Sequence, residues 1–180
     1  MKNWMTKEER NLWLGQMLRE KVLADNGRYD ENEHMLTVEQ KKWAGGYHTR
    51  RTGILHPLRD AAEYADAIFQ GGMEELFGRG EQVIRRICSL QDAKEGSRTY
   101  GLWSYYLEEN LDDMIAPDYN WADFITKCLL GIGILASDRV TAETKEIMDA
   151  AIRRAAMCSI RRNVGLDYTN IALMSSMTIL

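Results

Sequence analysis

Asn120-Trp-Ala-Asp-Phe-Ile-Thr-Lys-Cys-Leu-Leu-Gly-Ile-Gly-Ile-Leu135 spreads Phe124, Ile125, Cys128, Leu129, Leu130, Ile132 and Ile134 around almost the whole circumference of a helical wheel. A helix with no polar face has to be buried. Asn120 or Asp118 is placed to cap it. The helices on either side carry their apolar residues on one face only. Upstream, after Gly78 and Gly80, Val83, Ile84, Ile87, Cys88 and Leu90 line one side and leave Glu81, Arg85, Arg86 and Gln91 for the other. Downstream, Thr141 caps a helix that directs Ile147, Met148, Ala151, Ile152, Ala155 and Ala156 inward and Arg153, Arg154, Arg161 and Arg162 outward, until Gly165 ends it.

One step further out, broad apolar helices return. His56-Pro57 opens one containing Ala61, Ala62, Tyr64, Ala65, Ile68 and Phe69, closed by Gly71-Gly72, and Asp167 or Thr169 opens another from Asn170 to Leu180. Buried and amphipathic helices therefore alternate. The units also echo one another, Asp118-Tyr119-Asn120 in Asp167-Tyr168-Thr169-Asn170 and Ile84-Arg85-Arg86 in Ile152-Arg153-Arg154. The expected fold class is all-α, with helical hairpins in an inner and an outer layer over residues 56–180.

Residues 1–55 read as an N-terminal helical arm. Thr6 and Glu9 form a capping box, and Trp13, Leu14, Met17, Leu18 and Val22 recur at helical spacing until Asp25-Asn26-Gly27. Arg28 to Leu36 is a polar loop, Thr37 and Gln40 make a second capping box on a short helix ended by Gly45-Gly46, and His48, Arg50 and Arg51 read as a solvated linker.

After the outer helix that carries Val83 to Leu90, a stretch from Tyr100 to Asp123, too polar for a core helix, crowds rings and carboxylates together and runs into the start of the apolar helix. Rings beside carboxylates suit a sugar, whose C–H face packs on an aromatic ring while its hydroxyls take polar anchors. If the inner helices run side by side in one sense, their N-terminal ends share a face. That face gathers His56, Arg59, Asp60, Asp118, Asn120, Asp123, Asp167, Tyr168 and Asn170.

His56-Pro-Leu-Arg-Asp60, Ile87-Cys-Ser-Leu-Gln-Asp92, Thr99-Tyr-Gly-Leu-Trp103, Leu107-Glu-Glu109, Asn120-Trp-Ala-Asp-Phe124, Arg162-Asn-Val-Gly165 and Tyr168-Thr-Asn-Ile171 resemble the N-terminal part of the six-hairpin glycosidase-like, (α/α)-toroid proteins of bacteria, in particular an uncharacterised group of them. The resemblance implies a partial (α/α) toroid and, through the glycoside hydrolases and polysaccharide lyases of that superfamily, a carbohydrate partner. A ring of six hairpins would need roughly 350 residues. With 180 residues and an end inside the apolar Met177-Thr-Ile-Leu180, the chain is expected to be a fragment or a half-ring that self-associates through its apolar edge.

Three function classes follow. Glycoside hydrolysis needs two carboxyl groups across the scissile bond, for which Asp60, Glu108, Asp118 and Asp123 are candidates, with Trp103, Tyr105 and Tyr106 as platforms. A lyase would use His56 or Tyr168 as base and Asn120, Asn170 and Arg59 against a uronate. The alternative is a non-catalytic helical-repeat module binding glycan or protein on the same face. Third, Glu108, Glu109, Asp112 and Asp113 would align carboxylates for Mg²⁺ if they lay on a helix, as in prenyl transfer.

The remaining features narrow the classes. A net charge of −4 with mixed signs disfavours nucleic acid, no apolar run is long enough for a membrane span, and no signal-peptide core opens the chain, giving a cytoplasmic expectation. Cys88, Cys128 and Cys158 read as core residues, His34, His48 and His56 are too scattered for a ligand pair, and no phosphate loop appears, so neither metal nor cofactor is expected.

Overall fold

Helix α2 (Leu58–Gly71) is the element against which the others pack, touching α1 (Lys7–Asp25), α3 (Phe77–Ser89) and α4 (Asn120–Leu135). Leu58, Tyr64, Ile68 and Phe69 on it have no exposed surface. Burial of side chains this size is worth about 2 kcal/mol each, enough to fix the helix at the centre. Gly72, at φ 65°, closes it in the left-handed conformation. Arg139 and Arg19 then donate to its last carbonyls, Phe69 O at 2.5 Å and Gly71 O at 2.7 Å, where the helix dipole favours cations.

The computed structural model describes residues 5–41, 48–165 and 167–180. Two more helices, α5 (Ala142–Arg162) and α6 (Thr169–Ile179), complete the helical part. The chain is mostly helical, as expected of the all-α class. Alongside α2, α4 touches α5 and α6, α5 touches α6, and α3 touches α5. No helix among the described residues is long and apolar enough to cross a membrane.

The N-terminal segment departs from its sequence reading in three places. The Thr6–Glu9 capping box forms, with Glu9 N–H donating to Thr6 Oγ1 at 3.1 Å and Thr6 N–H to Glu9 at 2.7 Å. The apolar stripe behind it is not buried, however. Trp13 is 53% exposed and only Val22 on that stripe reaches the core, because α2 meets α1 along its C-terminal half, at Leu18, Arg19 and Val22. The polar loop contains a small hairpin, β1 (Tyr29–Asp30) with β2 (Met35–Leu36). Thr37 caps no helix: Val38–Gln40 is a strand, β3, antiparallel to β4 (Gly53–Leu55). Residues 42–47, including Gly45-Gly46, lie outside the described residues.

Met35 and Leu36 are fully buried with α2, and a polar knot ties the hairpin down. Tyr64 donates to Asn26 Oδ1 at 2.6 Å, and Arg79 reaches both of them while lying 4.2 Å from the Tyr29 ring centre. Burial in that knot pushes the Tyr29 phenol up to about 12.

Other helix boundaries and faces also shift. Gly78 and Gly80 lie inside α3 rather than before it, and a Cβ on Gly80 would come within 2.7 Å of the Phe69 ring. Asn163, at φ 48°, ends α5 in place of Gly165. Helix α4 is not buried all round, since Ile134 is 73% and Leu135 66% exposed at its far end. On α6 only Ile171, Ser175 and Thr178 are buried. All three cysteines are buried thiols.

The α2–α4 contact contains a charged group. A Cβ on Gly131 would meet Asp66 Oδ1 and Gln70 Nε2, both at 2.9 Å, so glycine lets α4 close over this pair. Gln70 donates to Asp66 at 2.6 Å. Burial pushes the Asp66 carboxyl up to about 6 from 3.8, against the pull of Gln70 and Lys127. With its folded value raised, Asp66 favours the folded state when protonated. That contribution is complete below about pH 4 and is lost as pH rises through about 6. Asp66→Asn is expected to raise neutral-pH stability by about 2 kcal/mol. Urea unfolding should then show a flatter stability profile between pH 4 and 6 for the variant, and a parallel profile would exclude Asp66 as its cause.

Candidate functional site

Segment 105–107 is sewn to the start of α2. Leu58 N–H donates to Tyr105 O at 3.0 Å and Leu107 N–H to His56 O at 3.1 Å, forming one antiparallel bridge between Pro57 and Tyr106. The Tyr105 hydroxyl donates to Asp118 Oδ2 at 2.7 Å, and Asp118 Oδ1 accepts the Asn120 N–H at 3.0 Å. Asp118 thus takes the first N–H of α4 from one residue before the N-cap, Tyr119, whose own side chain does not cap the helix. Asn120 Nδ2 in turn lies 3.5 Å from the Tyr168 hydroxyl at the start of α6. These bonds bring the starts of α2, α4 and α6 onto one face.

His56 is the most constrained polar group there. Its backbone N–H donates to Glu108 Oε2 at 3.0 Å, its Nδ1 meets Glu108 Oε1, and its Nε2 faces Asp30 Oδ2 at 3.3 Å. Backbone N–H donation, chiefly from Asn32, holds Asp30 below its ordinary value. A base needs a nitrogen open to substrate, and His56 has a carboxylate on each. One turn further on, Asp60 lies 3.7 Å from Arg28. Desolvation pushes its carboxyl up in spite of that guanidinium. Burial likewise raises the Tyr106 phenol, helped by Asp60 and Glu109 nearby.

The rings form a connected shelf along the same face. Tyr105 stacks on Trp121 with centroids 3.9 Å apart, Tyr106 meets Tyr105 edge-on at 6.3 Å, and Phe124 meets Trp121 edge-on at 5.6 Å. Arg59 caps the row 4.3 Å from the Phe124 ring centre while pairing with Glu63 at 3.0 Å. Two buried polar atoms on this shelf, Asn120 Oδ1 and Trp121 Nε1, have no hydrogen-bond partner among the described residues.

Several expected site residues fall elsewhere. Trp103 is not a platform: it is fully buried and donates Nε1–H to Ile87 O at 2.9 Å, deep in the core. Asp123 does not face a cleft. It is 1% exposed and accepts from Ser159 at 2.8 Å, Ser175 at 2.8 Å and Thr178 at 3.3 Å. Asn170 is exposed, and so is about half of Tyr168. Glu108 and Glu109 are not helical, and the only helical turn nearby is the short one at Leu111–Asp113. Thr49 donates to Glu109 at 2.7 Å and Arg51 approaches both Glu109 and Asp113, so the four acids do not share one ligand face.

The sequence reading missed three residues of this face. Asp30 sits in the hairpin taken for a polar loop, and its contact with His56 spans 26 residues. His48 belongs to the cluster that reads as a solvated linker, and Thr49 beside it carries no signal of its own. Instead His48 Nδ1 meets Ala116 O at 2.6 Å, its Nε2 lies 3.7 Å from Asp118, and Thr49 is buried against Glu109. No local pattern signals such contacts.

Two cavities lie apart from the aromatic shelf and from His56. The larger, 640 Å³, is formed by residues 92–99 and 110–117, and the second, 480 Å³, by residues 96–100, Tyr119 and the end of α5. Comparison of the chain with protein-family models, curated proteins and solved structures returned no match.

Proposed function

We propose that the chain is a non-catalytic, glycan-binding helical-hairpin module whose sugar surface is the aromatic shelf at the starts of α2 and α4. The observation that carries the reading is the continuous row Tyr106, Tyr105, Trp121 and Phe124, bordered by Arg59 and by the unpartnered Asn120 Oδ1 and Trp121 Nε1. Such a row offers ring surface for the C–H face of a pyranose, beside two buried polar atoms whose hydrogen bonds are unmade among the described residues. The contacts of α2 with α4, of α4 with α6 and of α3 with α5 support an inner set and an outer set of helices, as in part of an (α/α) toroid. Binding is favoured over hydrolysis or elimination because His56, Glu108, Asp118 and Asp123 are already engaged with one another or with neighbouring donors.

The test is titration with neutral cello-, malto- and chito-oligosaccharides followed by tryptophan fluorescence, with the products assayed for new reducing ends and unsaturated sugars. Saturable binding without products is expected, and Tyr106→Ala should weaken it roughly tenfold, the equivalent of one stacking contact. Absence of binding across the series, or equal binding by the variant, would rule the shelf out. Appearance of products would instead establish catalysis.

A further inference from the structure

The cavity at the end of α5 has an unusual charge balance. Arg98, Arg161 and Arg162 line it together with Tyr100 and Tyr119. Elsewhere Arg28, Arg51, Arg59, Arg79, Arg85 and Arg86 each pair with a carboxylate. No carboxylate of the described residues pairs with any of the three around this cavity. Arg162 Nη1 is moreover buried with no hydrogen-bond partner among the described residues. An unmade hydrogen bond on a buried charged donor leaves its desolvation uncompensated, a cost that an incoming oxygen anion would recover.

The walls are built to hold a ring. Arg161 lies 5.5 Å from the Tyr100 ring centre, and the Tyr119 hydroxyl donates to Arg98 O at 3.5 Å, which fixes both phenols. Cys158 on the same wall is no nucleophile, since burial, with Asp123 nearby, pushes its thiol up to about 11. The space also continues through the shared Gly96, Ser97 and Arg98 into the larger cavity, where Lys94 stands among the carboxylates of Asp92, Glu95 and Asp112, so the cationic lining is confined to the smaller one.

We infer that this pocket binds an acidic sugar unit, a uronate or a sugar phosphate, with Arg98, Arg161 and Arg162 on the anion and Tyr119 against the ring. Bidentate guanidinium geometry matches both carboxylate and phosphate. The sugar half of this assignment rests on the carbohydrate reading above, whereas the anionic half does not.

Calorimetric titration of the full chain with glucuronate, glucose 6-phosphate, inorganic phosphate and glucose tests it. One or both acidic sugars should bind at least tenfold more tightly than glucose and than inorganic phosphate. Arg162→Met and Arg98→Met should each weaken that binding at least tenfold, while Arg85→Met on α3 should not. Arg98 is exposed, so its variant keeps the test valid should Arg162→Met disturb folding. Failure of both acidic sugars to bind, or binding that survives both variants, would overturn the site. Phosphate binding as tight as that of glucose 6-phosphate, with glucuronate no better, would overturn the sugar half alone. Acidic-sugar binding in a chain that ignores neutral oligosaccharides would remove the aromatic shelf and leave this pocket standing.

Discussion

Gly101→Ala is expected to destabilise the chain by at least about 3 kcal/mol, read as a shift of the urea midpoint. Two effects add. Gly101 sits at φ 87°, where a Cβ costs about 1–2 kcal/mol. That Cβ would also fall 2.1 Å from Arg154 O and 2.6 Å from its carbon, both backbone atoms of α5 that cannot swing aside. The glycine is therefore where the 92–101 loop lies directly on α5. Its carbonyl accepts Gln91 Nε2 at 2.9 Å, and the same nitrogen reaches Ala151 O at 3.0 Å, so loop, α3 and α5 meet at one point.

The rest of that loop is held by Asp92. It accepts from Ser97 at 2.6 Å, Thr99 at 2.7 Å and the Lys94 N–H at 2.9 Å. Burial pulls its carboxyl up, but these bonds outweigh it and keep the value low. Gly96→Ala supplies the control, because Gly96 also has positive φ, 81°, but nothing within 4 Å of its Cβ. It should show the conformational cost alone, about 1 kcal/mol. If the two variants unfold at the same midpoint, direct seating of the loop on α5 is wrong. Loss of that seating should also disturb the arginine-lined cavity, whose wall is Gly96 to Tyr100.

Features within one helical turn were legible in the sequence, and features made by contacts between distant segments were not. The Thr6–Glu9 and Thr141 caps, the αL stop at Gly72 and the one-sided apolar face of α3 follow from spacing alone. Thr37 carried the same capping signature but became the edge of a strand, because Val38–Gln40 pairs with Gly53–Leu55 and local signals do not register that partner. Apolar spacing likewise says which face of α1 could be buried, without saying that α2 is available to cover only half of it.

The site shows the same division. Convergence of His56, Asn120 and Tyr168 on one face follows from the order and sense of the helices. The occupancy of each polar group does not. Asp118, Asp123 and Glu108 look alike as carboxylates in one stretch, yet one accepts the first N–H of a helix, one is buried under hydroxyls and one holds an imidazole. Arg162 read as an outward charge, and only the fold reveals a half-buried guanidinium with an unpartnered nitrogen.

Asp123→Ala is the substitution that separates a structural carboxylate from a catalytic one, and it is expected to cost about 3 kcal/mol. Asp123 is the junction of three helices. From the first turn of α4 it accepts Ser159 of α5 and Ser175 and Thr178 of α6, all buried. Alanine would leave the two serine hydroxyls without an acceptor, whereas Thr178 keeps its bond to Met174 O at 3.1 Å. Helix α6 depends on this junction more than the other helices do, since it buries only Ile171, Ser175 and Thr178. Hydrogen exchange of its amides should therefore accelerate more than that of α2 in the variant. Asp123→Asn keeps one acceptor oxygen and should recover part of the loss. A group acting on substrate would behave in the opposite way, with Asp123→Asn leaving stability intact while abolishing turnover of a glycan. Unchanged α6 exchange in Asp123→Ala would show that something other than this carboxylate holds the helix in place.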